Sequence, residues 1–298
     1  MNKNIKAHLA ILTANLIYAA NFPIAKEVMV YVSPLALVLL RSVGGTILFW
    51  LAGMTLPKEK VTKADLLRLL VIAPLGVVIN QMLFLKGLHL TSPINAAIMM
   101  ITTPILVLII ASVIIKEKIT LLRTAGIVIG FAGAFFLVFQ NLSEITKESS
   151  SLGDIYVFIN AVSWGTFLVL VKPMMQKYHA VTILKWCFLF GFPIVFLLSY
   201  SSISTVEWPT IPLKIYFFLI VVVLLTTFMA YLFNIYALKE LSPSVVSAYI
   251  YLQPLLTAFI AIVVFKNDFL TWEKLVSALL IFTGVFLVSS GKATQKDN

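Results

Sequence analysis

Two prolines mark the place in this sequence where chemistry is easiest to read. Pro104 lies eleven residues after Pro93, which follows Ser92, and Pro254 lies eleven after Pro243, which follows Ser242. A proline inside a helix has no N–H, so the carbonyl four residues back loses its donor. Pro104 thereby frees Met100, and Pro254 frees Ile250. Eleven helical residues rise roughly 16 Å, about half the hydrocarbon thickness of a bilayer. If Pro93 and Pro243 begin membrane-crossing helices, both breaks fall near the midplane, where broken helices form solute sites. A kink that only shapes the bundle is an equally good reading, and the two are compatible.

Amides, hydroxyls and aromatic rings gather at the same depth. The candidate solute contacts are Tyr18, Asn21, Arg41, Gln81, Thr102, Trp164, Thr227, Tyr231, Tyr251 and Gln253, with Pro104 and Pro254 as helix breaks. Asn80, Asn95, Thr103, Thr226, Asn234, Tyr236 and Tyr249 lie close by in sequence. Such groups suit a small polar or amphipathic solute, and aromatic faces attract an ammonium group. Taken singly, each is first of all an interhelical hydrogen bond. Arg41 is the sharper signal, because a charge deep in a span costs several kcal/mol. It either snorkels to the surface or attracts an anion such as a carboxylate. Lys26, Lys86, Lys172 and Lys185 sit near helix ends and are expected to snorkel.

Other chemistry is missing. No Asp or Glu lies mid-span, so a buried acid for ion coupling has no candidate. There is no GxxxxGK[ST] loop, no HExxH and no Cys cluster, and His8, His89 and His179 are far apart. Neither an enzyme, a metal nor a cofactor is expected.

The elements that position these residues follow from composition. Of 298 residues, 61% are apolar and only 11% charged, against about 25% charged in soluble proteins. Mean hydropathy is +1.04. Ten apolar runs are long enough to cross a bilayer. They fall near 8–27, 33–54, 66–88, 93–115, 121–141, 153–172, 180–200, 213–238, 243–265 and 271–290. The expected fold is an all-α integral membrane protein of ten transmembrane helices. The first run is too long for a signal peptide core and is read as a retained helix. The net charge of +10 is scattered through short loops, so no nucleic-acid partner is expected. Fifteen of the 22 Lys and Arg fall on the side shared by both termini, and seven on the other. The positive-inside rule then puts N- and C-terminus in the cytoplasm of a cell inner (plasma) membrane protein.

The chain also repeats itself. The two Ser-Pro-x10-Pro segments are 150 residues apart. At that offset Leu88 matches Leu238, Lys116 matches Lys266, and Phe136-Leu137-Val138 matches Phe286-Leu287-Val288. At an offset of 146, Tyr18 matches Trp164 and Lys26 matches Lys172. Two five-helix halves, 1–145 and 146–298, are therefore expected, joined by a polar linker over 141–151. An odd number of spans per half makes them inverted repeats. Gly126-x3-Gly130 in the fifth span permits close helix approach, inside the bundle or in a homodimer.

These features resemble the drug/metabolite transporter superfamily in its ten-helix EamA-type branch, over nearly the whole chain. The family's first-helix Trp-Gly-Ser-Asn-Phe pattern is similar to Tyr18-Ala19-Ala20-Asn21-Phe22, with Lys26 after it, and to Trp164-Gly165-Thr166-Phe167, with Lys172 after it. The family's helix-two Arg resembles Arg41, its prolines resemble Pro104 and Pro254, and its Glu after helix four resembles Glu117 before Ile119-Thr120. In the second half that place is held by Asp268 before Leu270-Thr271. Tyr18 and Ala19 depart from the family's Trp and Gly. The resemblance implies transport of small metabolites, often export of amino acids or related compounds, by a monomer or loose homodimer. The alternatives are an uptake permease for a solute such as a nucleoside, and a transport-silent sensor or scaffold.

Overall fold

A computed structural model describes residues 3–91, 93–139, 150–260 and 271–290; the linker up to residue 149, the boundary between the halves, Ser92, Lys266, Asp268 and Leu270 lie outside the described residues. Among the described residues, ten apolar helices are long enough to cross a membrane. They are α1 (Lys3–Val28), α2 (Pro34–Met54), α3 (Lys63–Leu90), α4 (Asn95–Ile114), α5 (Leu121–Phe139), α6 (Ser151–Gln176), α7 (Ala180–Ile203), α8 (Leu213–Ala237), α9 (Pro243–Ile260) and α10 (Trp272–Ser290). The described residues contain no strand. Only helices satisfy their own backbone in lipid, and the apolar runs leave the chain no other choice.

Local signals set several helix starts. Ser33 precedes Pro34, whose fixed φ suits the first turn. Thr62 caps α3 by accepting the Asp65 N–H at 3.2 Å. Large apolar side chains such as Val43, Ile47 and Leu51 on α2, or Leu275, Leu279, Phe282 and Phe286 on α10, stay exposed at helical spacing. These stripes face where the lipid would be.

Four spans are irregular at mid-length. In α4 the helix Pro93–Met100 ends in a turn before Thr103–Ile114 begins, one residue ahead of Pro104. In α9 a 3-10 turn at Tyr249–Tyr251 precedes Pro254. In α3 and α8 the backbone widens to π-helix over Pro74–Ile79 and Val222–Met229. The sequence reading did not foresee the π segments.

The packing pairs run in mates. Helix α1 packs on α8 and α9, and α6 packs on α3 and α4; α2 packs on α7, and α5 on α10. The α5–α10 seam is closed by glycines. A Cβ on Gly284 would lie 2.5 Å from the Gly130 Cα, and one on Gly126 would lie 2.7 Å from the Gly284 carbonyl oxygen. Gly126-x3-Gly130 therefore packs inside the bundle, not on an outer dimer face.

Two of the four lysines expected to snorkel, Lys26 and Lys172, bond carbonyls instead. Lys26 Nζ donates to the Thr91 carbonyl at 3.2 Å, and Lys172 Nζ donates to the Leu238 and Leu241 carbonyls at 2.5 and 3.0 Å. Each satisfies acceptors at the end of a helical hairpin, a stronger demand in lipid than reaching water. Lys185 sits 5.4 Å from the centre of the Trp50 ring.

Candidate functional site

The irregular segments converge on one cavity at the centre of the bundle. Its wall takes Asn15, Tyr18, Asn21 and Phe22 from α1, Arg41 from α2, and Asn80, Gln81 and Phe84 from α3. Met100 comes from α4, Asn160 and Trp164 from α6, Thr226, Tyr231 and Asn234 from α8, and Ile250 and Gln253 from α9. Water-sized centres can occupy about 60 Å³ of it, room for roughly four to six waters. Met100 and Ile250, the two residues ahead of the prolines, both reach the wall.

The π segments supply the fixed hydrogen bonds of this wall. A π turn releases carbonyls from the ordinary helical ladder, and side chains of neighbouring helices take them. The Leu75 carbonyl accepts from Ser163 Oγ at 2.8 Å, and the Gly76 carbonyl accepts from the Tyr231 hydroxyl at 2.9 Å. On α8, Thr227 Oγ1 donates to the Val222 carbonyl at 3.2 Å and accepts from Arg41 Nε at 2.9 Å. Amides tie the rest. Asn80 Nδ2 donates to Asn160 Oδ1 at 2.7 Å, and Tyr231 also reaches Asn80 Oδ1 at 2.7 Å. Gln253 Nε2 donates to Asn15 Oδ1 at 2.8 Å, and Thr226 Oγ1 donates to Asn21 Oδ1 at 3.0 Å. Trp164 meets Tyr231 edge-to-face, with ring centres 5.3 Å apart. Phe22 and Phe84 meet in the same manner at 5.6 Å.

Seven of the ten residues singled out as solute contacts line this cavity: Tyr18, Asn21, Arg41, Gln81, Trp164, Tyr231 and Gln253. The other three do not. Thr102 donates to the Met99 carbonyl at 2.6 Å, spending its hydroxyl on the turn before Pro104. Thr227 stands behind Arg41 and holds it. Tyr251 is fully buried, and Gly130 of α5 abuts its ring. Asn15, Phe22, Phe84 and Asn160 are wall residues that the sequence reading missed. Helical spacing was the available signal: Asn15 and Phe22 share a face with Tyr18, and Asn160 sits one turn before Trp164. Of the outlying candidates, Asn95 donates to Asp154 at 3.3 Å and Tyr249 bonds His8 at 2.7 Å.

Arg41 does not snorkel. It is 3% exposed and, among the described residues, forms no ion pair. Among the described residues, the other buried charged residues, Asp65 and Arg123, are paired. Asp65, at the start of α3, accepts from Lys177 at 3.2 Å and from the Tyr178 hydroxyl at 2.9 Å. Glu117 pairs with Arg123 at 2.5 Å. A chamber lined by amides, hydroxyls, aromatic rings and one guanidinium, with broken helices on two walls, can hold a small solute. Among the described residues, no group of three or more His, Cys, Asp or Glu could hold a metal.

Comparison with known proteins places this geometry. The EamA-like transporter family matches residues 5–139 and again residues 151–290. The chain belongs to that family. It is similar to the uncharacterized transporter YyaM of Bacillus subtilis, 25% identical over 96% of this chain and 94% of that one. It is also similar to an uncharacterized transporter of Archaeoglobus fulgidus, 26% identical over 96% of this chain and 98% of that one. The Arabidopsis thaliana protein WALLS ARE THIN 1 is 22% identical over 99% of this chain and 85% of its own length. A solved crystal structure that is 18% identical superposes with a TM-score of 0.77, covering 97% of this chain and 99% of the other, and shows the shared fold. The chain is thus a multi-pass membrane transporter of the EamA type, with the lipid bilayer as its surroundings and a small molecule as its substrate.

Proposed function

We propose that this EamA-type transporter exports amino acids or related small metabolites across the cell inner membrane by alternating access. The observation that carries the reading is the central cavity. It is lined from both halves of the chain, and the residues ahead of both midspan prolines, Met100 and Ile250, reach it. The faces of Tyr18, Trp164 and Tyr231 suit an ammonium group, and so do carbonyls freed by Pro104 and Pro254. The halves 1–145 and 146–298 act as inverted repeats that rock about the cavity. The mated packing of α1 on α8 and α9, and of α6 on α3 and α4, supports this, as does the matched pair Lys26–Thr91 and Lys172–Leu241. Both termini are cytoplasmic by the positive-inside bias.

The test is counterflow in proteoliposomes with labelled amino acids, nucleosides and organic cations. Saturable exchange of an amino acid, lost in Trp164→Ala, is the expected outcome. Exchange of a nucleoside alone moves the reading to an uptake permease. Silence across the panel from folded protein favours a sensor or scaffold. If Trp164→Ala and Pro254→Ala both exchange normally, the site is elsewhere.

A further inference from the structure

Among the described residues, the wall of the cavity carries one charge and nothing of opposite sign. Of the described residues that line it, Arg41 alone is an ionisable acid or base of the Asp, Glu, Lys, Arg or His type. The guanidinium stays protonated at any physiological pH. Its Nε is spent on Thr227 at 2.9 Å, and Thr227 is itself anchored to the Val222 carbonyl at 3.2 Å. Among the described residues its two terminal nitrogens have no hydrogen-bond partner. The orientation is therefore set from behind, while the fork of the guanidinium is left for something else.

A second wall residue is unpaired as well. Gln81 is 1% exposed, and neither its amide nitrogen nor its amide oxygen meets a partner at hydrogen-bond geometry, although the Tyr231 hydroxyl is near enough to interact with it. Buried polar groups in native proteins nearly always find partners, and a buried charge with none is the costlier exception. Two such groups on one cavity, one a fixed cation and one an amide, are a donor set that fits an anion with further hydrogen-bonding capacity.

We propose that Arg41 and Gln81 form an anion subsite for a carboxylate, and that every solute carried must bring one. This deepens the transport reading above and rests on it. A carboxylate matches the planar guanidinium in a two-pronged contact, and the Gln81 amide N–H serves a remaining oxygen lone pair. Organic cations that lack an acidic group are rejected by the same charge. Thr227 is a positioning residue, since it acts through Arg41.

Thermal unfolding of the full-length chain in detergent tests this, titrated with sodium acetate and, separately, with acetamide as a neutral probe of the same shape. The expected result is a saturable rise in Tm with acetate that acetamide does not give. Apparent acetate affinity should fall about tenfold or more in Arg41→Gln, which also controls for general salt effects. Acetate acting no better than acetamide on the wild-type chain overturns the proposal, and so does an Arg41→Gln chain that responds like wild type. If Arg41→Gln does not fold, Gln81→Leu decides: a weakened acetate response supports the subsite, and an unchanged one overturns it. Counterflow is scored separately. A chain that exchanges a labelled solute but ignores acetate loses the subsite and keeps the transport reading. One that binds acetate but exchanges nothing keeps the subsite and loses that reading.

Discussion

Two arginines in this bundle are equally hidden and are treated in opposite ways. Arg123, at the start of α5, is capped by the Glu117 carboxylate at 2.5 Å, with both side chains almost fully enclosed. Arg41, at the centre, has a threonine hydroxyl on Nε and, among the described residues, no carboxylate. Burial alone therefore does not tell a structural charge from a functional one. What separates them is whether the fold supplies the partner. At the ends of the bundle the chain closes its own circuits, through Glu117–Arg123, Asp65–Lys177 and the lysine-to-carbonyl contacts. At the centre it leaves a cation and an amide open, at a cost in stability that a ligand can return.

The largest expected effect sharpens that contrast. Arg123→Gln strands the Glu117 carboxylate, and removing one partner of a buried pair costs about 3–5 kcal/mol. Arg41→Gln strands no carboxylate and removes an uncompensated charge. In thermal unfolding, Arg123→Gln should therefore drop Tm steeply, while Arg41→Gln should leave it unchanged or raise it. Equal losses in the two variants would break the comparison, because Arg41 would then be as structural as Arg123.

A middle-sized effect tests the end circuits without charge pairing. Lys172 donates to two carbonyls at the turn between α8 and α9. Hydrogen bonds from a charged group are worth about 1.5–3 kcal/mol, so Lys172→Met should destabilise by that order, and more than Lys172→Arg. Lys26→Met should fall in the same range, since Lys26 serves the matching turn after α3. Urea or thermal unfolding in detergent would read both. A loss confined to one of them would show that the two halves share packing but not this contact.

How much of this was legible in the sequence depends on what fixes each feature. The ten spans were readable because length and hydropathy alone decide whether a segment crosses a bilayer. The central wall was partly readable because Pro104 and Pro254 cannot complete a helical ladder, whatever surrounds them. The π segments were not. Pro74, in the middle of the third span, was a hint, but α8 widens at Thr226-Thr227 with no proline at all. That widening is tied to Arg41 on a distant helix, which takes Thr227 Oγ1 while Thr227 takes the Val222 carbonyl. Tyr251 failed as a wall residue for a similar reason. Its ring fills space that Gly130, far away in sequence, leaves open. Lys26 and Lys172 misled because snorkelling is argued from a helix and its solvent, while their partners sit on another helical hairpin.

The smallest expected effect marks where the comparison stops applying. Lys214 and Glu27 meet at 2.6 Å, with 62% and 43% of their side chains exposed. By distance alone this pair rivals Glu117–Arg123. Water screens it, however, and two long exposed side chains lose rotamer freedom to hold one geometry, so such pairs contribute about 0–1 kcal/mol. Lys214→Ala should thus shift Tm by less than Lys172→Met, and the shift should shrink further at high salt. Lys214 also lies 5.1 Å from the centre of the Phe218 ring, so Lys214→Met, which keeps the apolar stem, should recover part of whatever Lys214→Ala loses. A loss in Lys214→Ala as large as that in Arg123→Gln, and insensitive to salt, would mean the pair is enclosed in the membrane-embedded protein. It would then count among the closed circuits at the ends of the bundle.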